Sequence, residues 1–262
     1  MGIYEVYDFY WNQQADPRTN NLPLMGSPVL IPLILVAYLY IILKLGPEYM
    51  KDKKPYDLKT FVKCYNVFQI FVNAYFVQQF LSVGWFSQVT VYCYLPDYSY
   101  KPGPVKMAYT LWLVTMVKII DLIETFVFVL RKKNEQISVL HTYHHVSTIL
   151  LIWLITRYVP VALASFAVVV NCGVHVIMYT YYLLSSCGDN MQKAISAYKP
   201  ILTITQMVQF VIIMAQILHT LSPSCPAPKL PAVVSLINVA INFYLFYDFY
   251  QTRYTKSKQK TK

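Results

Sequence analysis

Three histidines, His141, His144 and His145, stand inside the apolar run ISVLHTYHHVSTILLIWLIT. Spacings of three and four residues put their rings on one face of a helix. Ionisable side chains are expensive in a stretch this apolar, so chemistry is their first explanation. Two imidazoles one turn apart can bind a metal ion. Without metal, an imidazole acts as a general base or as a nucleophile that forms a transient acyl-imidazole. The chain has 5 histidines, too few for the paired-iron histidine boxes of membrane desaturases and hydroxylases. No HExxH glutamate is present for a zinc hydrolase. Zinc held by His141, His145 and His175 is the remaining metal arrangement, and the expectation is a site without metal.

These residues must be positioned by helices that cross a bilayer. Of 262 residues, 56% are hydrophobic and 13% charged, with a mean hydropathy of +0.41, which excludes a soluble domain of this length. Seven segments approach bilayer length, near 28–45, 61–83, 107–130, 137–156, 161–184, 200–221 and 230–250. A shorter apolar stretch, 85–95, fits the interface. Residues 1–262 read as one seven-span domain ending in a basic tail, 251–262, with no internal repeat or linker. The N-terminal segment lacks the basic start and apolar middle of a cleavable signal peptide. Alternate loops carry fourteen Lys/Arg against five, which predicts a lumenal or external N-terminus and a cytosolic C-terminus. The charge of +10 thus marks topology or a hold on an anionic ligand, two readings its sign does not separate, rather than nucleic-acid binding. The ending Lys258-Gln259-Lys260-Thr261-Lys262 fits a KxKxx signal for retrieval to the endoplasmic reticulum. On this topology Cys93 and Cys225 share an oxidising lumen and are natural disulfide partners.

Orientation gives each buried polar residue a depth. His144 lies ten residues from Asn134, roughly 15 Å in, and His175 lies eleven from Ser186, roughly 16 Å. Asp121 is ten residues from Arg131, and Gln206 and Gln209 are seven and ten from Lys199, roughly 10 to 15 Å. Four spans therefore place polar groups in one layer of the cytosolic half. Lys118, Asp121 and Glu124, at i, i+3 and i+6, could be a structural ion pair, and Asn171 and His175 could be inter-helix hydrogen bonds. Their common depth favours a site. His219, alone near the other end of its span, reads as interfacial.

The stretch KIIDLIET-FVFVLRKKNEQISVLHTYHH (118–145) resembles the core of the very-long-chain fatty acid elongases, membrane condensing enzymes of the endoplasmic reticulum. NCGVHVIMYTYY (171–182), TITQMVQF (203–210) and the basic tail resemble the same family in the same order. One departure is clear. The family's KxxExxDT motif has its acids exchanged here, as Lys118-x-x-Asp121-x-x-Glu124-Thr125. Gln136 resembles the branch that acts on long, very long or polyunsaturated chains.

The resemblance implies seven helices around an acyl tunnel and condensation of a long acyl-CoA with malonyl-CoA, giving 3-ketoacyl-CoA, CO2 and CoA, with no other cofactor. For that reaction the residues suggest a ping-pong route in which His144, facing His175, takes the acyl group; direct attack on bound acyl-CoA, with histidine polarising the carbonyl, is the competing version. His141, His145, Asn171 and Gln206 would then orient malonate or steady the enolate. Lys118, Asp121, Glu124, Gln136, Tyr181 and Thr203 belong to the same substrate-binding set, and Arg131, Lys133, Lys199 and Arg253 suit CoA phosphates. Other elongation-cycle enzymes are compatible partners, as is a second copy of the chain. A seven-span receptor or a lipid transporter is the rival reading. No D/E-R-Y triplet follows the third span, no NPxxY ends the seventh, and no repeat suggests a carrier.

Overall fold

A computed structural model describes residues 2–83, 97–160 and 162–255. The stretch 85–95, Cys93, Lys256 and the KxKxx ending fall outside those residues. Among the described residues all regular structure is helical. We label the main helices α1 (Leu30–Met50), α2 (Lys59–Ser82), α3 (Pro102–Ile120), α4 (Leu122–Leu130), α5 (Val139–Tyr158), α6 (Ala162–Ser185), α7 (Lys199–Leu221) and α8 (Lys229–Tyr250). Among the described residues, five helical stretches are long and apolar enough to cross a membrane: Leu30–Met50, Val139–Tyr158, Ala164–Ser185, Asp189–Leu221 and Lys229–Thr255. The other two expected spans are helical but less apolar or broken. α2 carries buried Asn66, Gln69 and Asn73. The segment 107–130 divides at Asp121, where the Glu124 amide donates to the Asp121 carbonyl three residues back at 3.1 Å. That contact is a single tight turn between two α-helical pieces.

By its contacts the chain forms two compact units, Met1–Asp57 with Pro96–Ser165, and Leu58–Leu95 with Phe166–Lys262. In the first unit, α1, α4 and α5 meet in a core that includes Leu35, Tyr38, Ile42, Leu122, Val129 and Ile149. α1 runs past Gly46-Pro47 because a π-helical turn, Ile41–Leu45, absorbs the amide that proline lacks. Gly46 is required there. A Cβ would lie 2.7 Å from Val129 Cγ1 and 2.9 Å from the Ile41 carbonyl.

The far end of α5 is tied to the N-terminal segment by Arg157, whose side chain is fully buried. Its guanidinium donates to Asn20 Oδ1 at 3.0 Å and to the carbonyls of Met25 and Trp11, and stacks 3.8 Å over the Trp11 ring. Carbonyl dipoles and a ring face replace the carboxylate that a buried cation usually needs. Thr156 extends the tie, with its hydroxyl 3.0 Å from Thr115 and its carbonyl accepting from Thr19 at 2.9 Å.

In the second unit α7 and α8 pair through Ile213, Ile217 and Ala232. Phe210 and Phe246 meet with ring centroids 5.2 Å apart. Lys229 Nζ closes the connection by donating to the carbonyls of Thr220, Ser222 and Cys225 at 2.8, 2.8 and 2.6 Å. A cation on the carbonyls that end a helix is favoured by both charge and hydrogen bonding. Cys225 is buried and disulfide-bonded, whereas Cys64, Cys172 and Cys187 are not in disulfides. The outer faces of α7 and α8 expose Val208, Val211, Leu230, Ile237 and Tyr244, as expected of helices that meet lipid tails.

Candidate active site

The histidine helix starts later than its apolar run. Ser138 caps α5, and its hydroxyl accepts from the His141 amide at 3.2 Å. His144 is therefore five residues from the start of α5 at Val139, about 8 Å. That is shallower than an unbroken helix from Asn134 would place it, because Asn134–Gln136 forms a separate 3₁₀ turn. The three rings do cluster. His141 and His145 have centroids 4.3 Å apart, and His144 and His145 lie 5.8 Å apart nearly edge to face.

α4 supplies the second wall. His141 packs against Phe128 at 5.4 Å between ring centroids, and His141 Nε2 lies 2.8 Å from Thr125 Oγ1. Glu124, His141 and His145 each present a ligand atom within 4.8 Å of the others, half-buried and close enough to hold a cation. This set differs from the zinc arrangement read from spacing, with a carboxylate in place of His175. Lys118 and Asp121, both buried, pair at 3.3 Å across the helix break. Arg131 is half-buried just past α4, and Lys133 and Gln136 are exposed.

The second unit holds the remaining expected residues. On α6, Asn171 is half-buried and His175 buried, the latter edge-on to Tyr179 at 5.7 Å. Tyr179 also meets Tyr65 of α2 at 6.0 Å. Gln206 of α7 donates to Met178 Sδ at 3.3 Å, and Thr203 returns its hydroxyl to the Lys199 carbonyl. The Tyr181 hydroxyl, the Ser185 hydroxyl and Gln209 Oε1 are buried with no hydrogen-bond partner among the described residues. Each such atom is a standing cost unless something else binds it. Lys199 and Arg253 are exposed at helix ends.

Two contributors escape a motif reading. Thr125 ends the Lys118–Thr125 signature but has no obvious chemistry until His141 is seen beside it. Tyr38, on α1, hydrogen-bonds Thr125 at 2.9 Å and packs edge-on to Phe126 at 5.9 Å. A tyrosine in an apolar span was the available signal, since a buried hydroxyl needs a partner.

Imidazoles, carboxylates and a lysine held inside apolar helices define a multi-pass membrane protein with an enzyme-like polar centre. A family model described as ELO: GNS1/SUR4 family matches residues 23–262. The chain is 38% identical over 250 residues to very long chain fatty acid elongase 1 of Mus musculus, covering 94% of this chain and 89% of that one. It is 35% identical over 254 residues to very long chain fatty acid elongase 7 of Rattus norvegicus, covering 96% and 90%. It is 31% identical over 261 residues to very long chain fatty acid elongase 7 of Drosophila melanogaster, covering 99% and 79%. The chain belongs to the GNS1/SUR4 family of fatty acid elongases.

Proposed function

We propose that this protein condenses a long-chain acyl-CoA with malonyl-CoA to give 3-ketoacyl-CoA, CO2 and free CoA. It would do so in the endoplasmic-reticulum membrane through seven spans, with the N-terminus lumenal and the C-terminus cytosolic. The observation that carries this reading is the match to very long chain fatty acid elongases across residues 23–262. The clustered imidazoles of α5 and the buried hydroxyl of Tyr181, without a hydrogen-bond partner among the described residues, support it as groups available to a polar substrate head.

In the proposed route a ring nitrogen of His144 attacks the thioester carbonyl. The N–C bond forms, the C–S bond breaks, and CoA leaves as thiolate to take up a proton. Malonyl-CoA then loses CO2, leaving its electron pair on the α-carbon as an enolate. That carbon attacks the acyl-imidazole, so the new C–C bond replaces the N–C bond and returns the ring. His175 assists from α6. His141, His145, Asn171 and Gln206 orient malonate and steady the enolate oxygen. Lys118, Asp121, Glu124, Thr203 and Tyr181 serve as substrate-binding groups, and Arg131, Lys133, Lys199 and Arg253 take the CoA phosphates. The exchanged acids fit this role, since both carboxylates are retained and Asp121 reaches Lys118.

Purified protein incubated with radiolabelled acyl-CoA alone tests the route. A label that stays with the denatured wild type at neutral pH, is released by both acid and hydroxylamine, and is absent from His144→Ala is the expected result. A competent enzyme that never retains label would replace the acyl-histidine with direct attack on bound acyl-CoA. Membranes that do not lengthen acyl chains with malonyl-CoA would remove the function itself.

A further inference from the structure

A chain of three polar groups crosses the core of the first unit: Tyr38 OH, Thr125 Oγ1 and His141 Nε2, at 2.9 and 2.8 Å. Tyr38 is 2% exposed and Thr125 not at all, so water does not compete for their protons. Each hydroxyl has one proton to place. If Nε2–H of His141 donated to Thr125, the two hydroxyls could place only one of their protons between them, since Thr125 Oγ1 can accept from both neighbours or donate to Tyr38. In either case one hydroxyl proton, that of Thr125 or that of Tyr38, would have no acceptor among the described residues, a buried loss of the kind proteins avoid. The opposite direction satisfies every group: Tyr38 O–H donates to Thr125, and Thr125 O–H donates to Nε2.

From this polarity we propose that Tyr38 is a positioning residue. Acting through Thr125, it holds His141 in the Nδ1–H tautomer and so presents a fixed N–H donor to the site. That donor makes no hydrogen bond to the described residues. It lies on a ring clustered with Glu124 and His145. Resting on the condensation proposed above, the N–H is the group that meets the enolate or carbonyl oxygen of the substrate. A ring whose tautomer is fixed in advance has no proton to rearrange when that charge develops.

Tautomers are read directly by solid-state NMR of protein carrying ¹³C,¹⁵N-histidine in bilayers, with His141 assigned by its loss in His141→Gln. The protonated nitrogen of His141 is expected to correlate with Cγ, identifying Nδ1–H. Correlation with Cδ2 would overturn the proposal whatever the activity. Tyr38→Phe keeps the ring and its contact with Phe126 but removes the proton that starts the chain. It should move a measurable fraction of His141 to Nε2–H and lower kcat of malonyl-CoA-dependent condensation about tenfold, with KM within about twofold. An unchanged tautomer in a folded Tyr38→Phe would overturn it. Thr125→Ser, which keeps the hydroxyl, should retain the wild-type tautomer, and Thr125→Val should not. The tautomer is measured without substrate, so failure of the wild type to condense would count against the proposed function and leave this test standing.

Discussion

Lys118 and Asp121 are the clearest instance of a buried charge that depends on its partner. The pair is 3.3 Å apart with both residues buried. Removing one member of such a pair leaves desolvated charge behind and costs about 3–5 kcal/mol, whereas replacing both with apolar groups is often near neutral. Asp121→Asn should therefore lower the melting temperature in detergent more than the double variant Lys118→Met, Asp121→Leu. Equal losses would mean that the pair contributes no specific electrostatic stability. Glu124, His141 and His145 raise the question of metal at the same scale. His141 Nε2 is already bonded to Thr125 at 2.8 Å, so only one nitrogen of that ring remains for a ligand. Exhaustive chelation is expected to leave condensation unchanged, and activity lost to chelator and restored by zinc would reverse that conclusion.

Helix junctions decide where these residues stand. α1 meets α4 at a glycine, and the packing leaves no room for a methyl group. Gly46→Ala must displace Val129 or the π turn itself, and overpacking of this type costs about 1–3 kcal/mol. Gly173→Ala on α6 is the matched control, because a Cβ there meets nothing within 4 Å. Thermal unfolding should separate the two, with only the first destabilised. At the other end of α5, Arg157→Met would strand the carbonyls of Trp11 and Met25 in the core. Unpaired buried acceptors cost about 1–3 kcal/mol each. Faster proteolytic cleavage within residues 2–25 is the expected sign, and an unchanged cleavage rate would mean that other contacts hold the segment.

For the molecule as a whole, topology is the measurable quantity. An N-glycosylation acceptor inserted between Ser222 and Pro228 should be modified, and one inserted between Lys51 and Asp57 should not. The reverse pattern would invert the proposed orientation. Helices α5 to α8 were legible from their apolar runs, with ends within about two residues, the usual latitude of helix boundaries. Ser138 shows why the histidine helix begins where it does, and that cap is readable in sequence. The break at Asp121 was not, since Lys118, Asp121 and Glu124 fit an unbroken helical face equally well. Nor was the Tyr38–Thr125–His141 chain. Residues 87 and 16 positions apart meet only after α1, α4 and α5 pack, and periodicity carries no information on that meeting. The trio Glu124, His141 and His145 was hidden for the same reason, since its carboxylate comes from a different helix.

Arg157 also bears on time. Its acceptors at Trp11, Asn20 and Met25 leave the ribosome more than a hundred residues before it does. When α5 enters the bilayer, its arginine is charged and its neutralising cage must already be waiting nearby. A nascent chain whose N-terminal segment is deleted or held elsewhere would present a bare cation to the insertion machinery. Quality control would then meet the defect at the helix that carries the histidines, before any site exists to be tested.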